Sequence, residues 1–183
     1  MTAVEPAPGA EKWVGRALRR KEDPRMITGR GRYVDDLVVP GMLYMAVVRS
    51  PEAHAKIVST DASGALELPG VHGVFFGEDV DFAAGLPMAW VPPGVEIKAA
   101  EHWPLAKGEV KYVGQGVAIV LGEDKYAVVD AAEQVLVEYD PLPVVIDPEK
   151  ALAEGSELVH PDLGTNQTHE WSIGGGDMDA AWA

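Results

Sequence analysis

From residue 42 onward the apolar positions fall into short runs separated by turn residues, a rhythm that predicts strands alternating with short helices. The run at 42–48 (MLYMAVV) has strand length and is expected to be buried. An alternating stretch at 54–60 predicts a second strand, and 71–76 a third. Asp61 is placed to cap a helix through about Leu68, stopped by Pro69 and Gly70. A short turn of helix is expected at 78–82. The run at 117–121 (VAIVL), entered through Gly114 and Gly116, reads as another strand. Asp124 then caps a helix through Gln134, where Ala127, Ala131 and Val135 recur every four residues beside Val128 and Ala132. Strands follow at 136–139 and 144–146, around Pro141 and Pro143. Asp147 and Pro148 open a last short helix ending near Gly155. Earlier, residues 22–28 predict a single helical turn with Asp23 as cap, Pro24 at the first helical position and Gly29 as stop. Trp171 is expected to begin one further strand running to Ile173. The pattern predicts an α+β fold.

One stretch breaks the rhythm. Between 85 and 104, Gly85, Pro87, Pro92, Pro93, Gly94 and Pro104 interrupt any period, while Trp90 and Trp103 add large apolar surface. A long unpatterned stretch inside a domain is commonly functional or flexible. It is expected to find its order against another part of a larger protein.

Composition narrows the function classes. The 183 residues are 47% hydrophobic and 24% charged, a globular balance, and the formal net charge is −14. A chain this acidic lacks the basic face that general nucleic-acid binding needs. The charge is uneven: residues 1–60 hold ten Lys and Arg against seven Asp and Glu, the remainder five against 22. Seven of the basic residues lie at 16–32. Such a run reads either as a solvated face or as a docking arm for an acidic surface. With no cysteine, disulfides, thiolate metal sites and cysteine nucleophiles are excluded within this sequence. No apolar run approaches the roughly 20 residues of a membrane helix. The first ten residues lack the pattern of a signal peptide, and the expected location is cytoplasmic.

No motif carries chemistry by itself. Gly29 and Gly31 follow no strand and lack the third glycine of a dinucleotide fingerprint. Gly174 to Gly176 run into Asp177 and Asp179, which would repel phosphate. The five histidines (His54, His72, His102, His160 and His169) show no metal-ligand spacing. Asp35–Asp36 and Glu78–Asp79 read as caps and turn residues, and no nucleophile elbow is present. Catalytic, cofactor-binding and metal-binding residues are therefore expected to be absent from this sequence.

Several motifs in one collinear order nevertheless carry a resemblance. They are RRKEDPR at 19–25, TGRGRYVDD at 28–36, PGML at 40–43, VRSPEAHAKI at 48–57, LPGV at 68–71, YVGQGVA at 112–118, DAA at 130–132 and VEYDPLP at 137–143. Together they resemble the opening of molybdenum hydroxylase large subunits, the family of xanthine dehydrogenases, aldehyde oxidoreductases and aerobic carbon monoxide dehydrogenases. Gly116 departs from the pattern, standing where many members have proline. The closing stretch at 166–183 is most similar to the carbon monoxide dehydrogenase type.

The resemblance implies a hammerhead fold, a mixed sheet with short flanking helices, over residues 15–160. Residues 1–14 are expected to form a flexible tail, and 161–183 a linker and the start of a molybdopterin-binding domain beyond this sequence. It further implies molybdopterin cytosine dinucleotide in the full subunit, and FAD and [2Fe-2S] clusters in partner subunits. The implied parent activity is oxidative hydroxylation, with electrons leaving through the clusters to FAD. Glu170, Asp177 and Asp179 do not match the family's catalytic glutamate motif. The residues expected to border a substrate entrance are Trp90, Ile97, Lys98 and Ala99. The fragment alone is expected to be inactive, and its partners to be the remaining domains of its own subunit and the FAD and iron–sulfur subunits. Two other readings stand beside this one: a separately encoded or truncated hammerhead scaffold, and an unrelated small-molecule module built on 85–104. Carbon monoxide, purines and aldehydes all remain open as substrates.

Overall fold

A computed structural model describes residues 14–15, 17–80, 85–172 and 174–182. The tail expected at 1–14 lies almost wholly outside them, as do residues 81–82 of the turn expected at 78–82 and Ile173 of the strand expected at 171–173. The chain divides into two compact units, Met1–Pro40 and Gly41–Ala183.

In the first unit a single turn, α1 (Asp23–Ile27), has Pro24 near its start and ends as Gly29 takes φ +70°. Asp23 is not its cap. Its carboxylate turns back to accept from the Arg20 backbone N–H at 3.3 Å and from Arg20 Nε at 3.0 Å, leaving Glu22 in the cap position without a side-chain bond. A 3-10 turn follows at Val34–Asp36, where Asp36 accepts from the Tyr33 N–H at 2.9 Å. No described side chain of this unit is buried.

Among the described residues the second unit holds six strands: β1 (Tyr44–Arg49), β2 (Ala55–Asp61), β3 (Val71–Phe76), β4 (Glu109–Val110), β5 (Gly116–Gly122) and β6 (Leu136–Pro141). They form two three-stranded sheets, ordered β1-β5-β3 and β4-β2-β6, in which every pairing is antiparallel. Short helices flank them: α2 (Ser63–Leu66), α3 (Lys125–Glu133), α4 (Pro148–Ala151) and α5 (Met178–Trp182). This is the expected α+β class, with short helices flanking the sheets.

Most elements stand where the pattern puts them. Asp124 caps α3 by accepting from the N–H groups of Tyr126 at 2.8 Å and Ala127 at 3.0 Å. Asp147 caps α4 in the same way. Asp61 sits one residue ahead of the α2 cap yet still accepts from the Ser63 N–H at 2.8 Å. Four expectations are corrected. β1 is only half-buried, with Met45 59% exposed, because it is an edge strand. Helix α4 stops at Ala151 rather than near Gly155. Trp171 and Ser172 are not in a strand. Nor is 144–146: Leu142 N–H still reaches the His54 carbonyl at 2.9 Å, but Pro141 and Pro143 have no N–H to offer β2, and Val144 and Ile146 end up exposed.

The core is built from small side chains. Ala118 and Val120 on one face of β5 pack with Ala65, Val128, Ala131 and Val135. Val117 on the opposite face packs with Ala55, Ala106 and Val110 of the other cluster. α3 crosses β5 so closely that a methyl group on Gly122 would stand 2.7 Å from Val128 Cγ1 and 2.8 Å from the Gly70 carbonyl oxygen. The second contact is backbone and has little room to yield. Gly122→Ala is therefore expected to destabilise the chain by about 1–3 kcal/mol, the usual cost of overpacking. Urea titration checks it: the midpoint should fall with an unchanged slope, whereas an unchanged midpoint contradicts the close crossing.

Candidate functional site

The unpatterned stretch at 85–104 forms no regular element, and its chain bonds follow from its composition. Prolines deny it a ladder, so it makes isolated bonds instead. Leu86 N–H donates to the His102 carbonyl, folding the two ends of the stretch together. Val95 N–H donates to the Pro92 carbonyl at 3.2 Å, closing a turn at Pro93 and Gly94. Lys98 N–H donates to the Thr168 carbonyl at 2.9 Å. Part of the order expected from other domains is thus supplied by the chain's own C-terminal segment.

That contact makes a groove. Trp90, Ile97, Lys98 and Ala99, the four residues expected at a substrate entrance, line it together with Thr168 and Trp171, around a volume of about 360 Å³. Trp90 meets Trp171 edge to face, with centroids 6.2 Å apart and planes at 72°. Such a pair is worth about 0.5–1.5 kcal/mol beyond its buried area. Trp90 nevertheless remains 65% exposed, so the groove is open and apolar. Residue spacing did not mark Thr168 or Trp171 as part of this wall: Thr168 lies 70 residues beyond Lys98 and Trp171 lies 81 beyond Trp90.

A second, more polar cleft of about 520 Å³ lies between residues 99–103 on one side and Glu109, Lys111 and 159–163 on the other. Its hub is one carboxylate oxygen. Glu109 Oε1 lies 2.8 Å from His54 Nε2 and accepts from Lys111 Nζ at 2.6 Å. Lys111 Nζ also donates to the Val159 carbonyl at 2.8 Å, and His54 Nδ1 donates to the Pro143 carbonyl at 2.6 Å. Burial pushes the Glu109 carboxyl up, but hydrogen bonds from Lys111 and His54, with their charges, outweigh it and hold the group below the usual glutamate range. Its contribution to stability is present above the ordinary glutamate value and is lost as the pH falls through the folded one. His160 is pushed down by burial first, then by the charges of Lys111 and His102. It therefore favours the fold in its neutral form, and that contribution is lost as the pH falls below the ordinary histidine range. His102 stacks on Tyr112 at 6.2 Å and 5°.

Histidine spacing concealed this network, because His54 and Glu109 meet only through the pairing of β2 with β4. A weaker signal was present: Glu109 and Lys111 are two apart, which in extended chain puts both on one face. Of the other histidines, His72 pairs with Glu123 at 2.9 Å in the open, and His169 lies 2.9 Å from the Thr168 hydroxyl. Among the described residues no three His, Asp or Glu side chains converge as metal ligands.

Residues 28–143 match the family described as aldehyde oxidase and xanthine dehydrogenase, a/b hammerhead domain. The 6-hydroxypseudooxynicotine dehydrogenase complex subunit gamma of Paenarthrobacter nicotinovorans is 41% identical over 94% of this chain and 22% of its own length. The carbon monoxide dehydrogenase large chain of Hydrogenophaga pseudoflava is 46% identical over 78% of this chain and 17% of its own. Among solved structures, quinoline 2-oxidoreductase from Pseudomonas putida 86 superposes with a TM-score of 0.72 at 41% identity, covering 86% of this chain and 20% of that one. The chain thus spans about a fifth of the length of the relatives it matches. It belongs to the family of the aldehyde oxidase and xanthine dehydrogenase a/b hammerhead domain.

Proposed function

We propose that this chain is the hammerhead portion of the molybdopterin-binding large subunit of a molybdenum hydroxylase of the carbon monoxide dehydrogenase type. In this reading residues 15–160 form the hammerhead domain and 161–183 lead into the cofactor-binding part of the same subunit. The parent complex is cytoplasmic and performs oxidative hydroxylation, with FAD and [2Fe-2S] clusters in partner subunits. Among the described residues, no helix is long and apolar enough to cross a membrane.

The described residues that line the clefts do not fit the molybdopterin group. Glu101, Glu109 and Asp162 line the polar cleft and would repel a pyrophosphate, while Lys111 is already held by Glu109 and Val159. The groove at Trp90 is apolar. Cofactor and chemistry are assigned to the rest of the subunit, and no chemical step to this chain. Its own task is to shape the approach to the site and to dock neighbouring domains and subunits.

The observation that carries this reading is the open groove of Trp90, Ile97, Lys98 and Ala99, an apolar surface fixed to the C-terminal segment. An open apolar groove of this kind commonly marks a ligand path or an interaction site. The complete subunit, produced with its neighbours in a molybdenum-replete host, should retain stoichiometric molybdenum. It should also reduce an electron acceptor with carbon monoxide, an aldehyde or a purine. A well-folded complex without molybdenum contradicts the reading.

The first unit gives a second test. Arg19, Lys21, Arg25 and Arg30 are exposed, as are Ile27, Val34 and Val38 beside them. We assign this segment a docking role toward an acidic surface. Charges at an interface rim act mainly on association rate and salt dependence. Reversing Arg19 and Arg20 to Glu should slow assembly of the complex about tenfold at low salt, and less at high salt. Stopped-flow or surface-binding kinetics read this, and equal rates at low salt return the segment to a solvated face.

A further inference from the structure

The groove wall at 97–99 is held by a chain of contacts that begins in the sheet. Glu109, in β4, fixes Lys111 through a 2.6 Å ion pair. Lys111 carries the hold to the Val159 carbonyl at 2.8 Å. Val159 in turn donates its N–H to Asn166 Oδ1 at 3.0 Å. The Asn166 amide donates its two protons to the Ala151 carbonyl at 3.0 Å and the Glu157 carbonyl at 2.8 Å. Two residues beyond Asn166, the Thr168 carbonyl accepts from the Lys98 N–H, and three residues beyond that Trp171 meets Trp90.

Residues 152–172 form only a 3-10 turn at Pro161–Leu163, so they have no ladder to place them. A segment without a ladder takes its position from side-chain bonds. Asn166 uses both donors of its amide and its carbonyl oxygen to join the end of α4 to Glu157 and Val159, and it is half-buried. Lys111 is the cation that joins this loop to the sheet, its side chain 24% exposed.

We infer that Lys111 and Asn166 are positioning residues that set the groove at Trp90, Ile97 and Lys98 by fixing the 157–171 segment against it. Only the consequence for turnover rests on the reading of that groove as a substrate entrance. The tether itself is a property of the fold.

Hydrogen exchange on the assembled complex tests it, peptide by peptide. Asn166→Ala and, separately, Lys111→Met should speed exchange at 97–103 and 165–171 at least tenfold. Exchange across 117–121 should stay within twofold of the parent. Lys111→Arg, which keeps the charge and the donors, should restore slow exchange. Unchanged exchange at 97–103 in both variants overturns the tether, as does an equal rise at 117–121, which would mark general loss of structure. A steady-state arm separates the two claims. If the groove borders the substrate path, KM for the reducing substrate should rise several-fold with kcat within twofold. A changed exchange pattern with unchanged KM upholds the tether and counts against the entrance.

Discussion

The structure of residues 41–183 depends on one strand that is buried along one face and reaches a second core through Val117 on the other. β5 is the central strand of its sheet, and its neighbours β1 and β3 pair with it along most of its length. Ala118 and Val120 face α3, while Val117 faces the cluster built on β2 and β4. A strand serving two cores cannot carry polar side chains on either face, and on the face toward α3 it carries only Ala118, Val120 and Gly122. Ala118, Ala131, Ala65 and Gly122 are what let the helix and the neighbouring turn approach. Such a core has little volume to lose, so its stability rests on close packing rather than on any single large side chain.

That constraint explains which parts of the fold were legible in the sequence. The run at 117–121 reads as a strand because it is apolar on both faces, and Asp124 reads as a cap because only a short acceptor satisfies two free N–H groups there. The run at 144–146 has the same apolar character, yet Pro141 and Pro143 remove the donors that a partner strand would need. β4 is two residues long and gave no periodic signal. Local pattern reports local preference, and pairing partners lie outside its reach.

The candidate site divides in the same way. Its unusual stretch, with Trp90, Ile97, Lys98 and Ala99, was visible because prolines and glycines erase every period there. Its other wall was not. Thr168 had no local mark, Trp171 read as the start of a strand, and Asn166 reads as an ordinary loop residue until its three bonds are seen. Glu109, Lys111 and His54 are brought together by antiparallel pairing across more than 50 residues of chain. Family membership followed neither from composition nor from a reactive group. It came from motif order and from the family that the chain matches over residues 28–143.

In the proposed function this chain shapes the approach to a reaction centre held elsewhere in the same subunit. The most direct measurement is a crystal structure of the complete enzyme with a substrate analogue bound. The account predicts that Trp90, Ile97 and Lys98 line the channel leading to the analogue, with the 157–171 segment behind them. A groove that opens to bulk solvent on a face remote from the channel contradicts it.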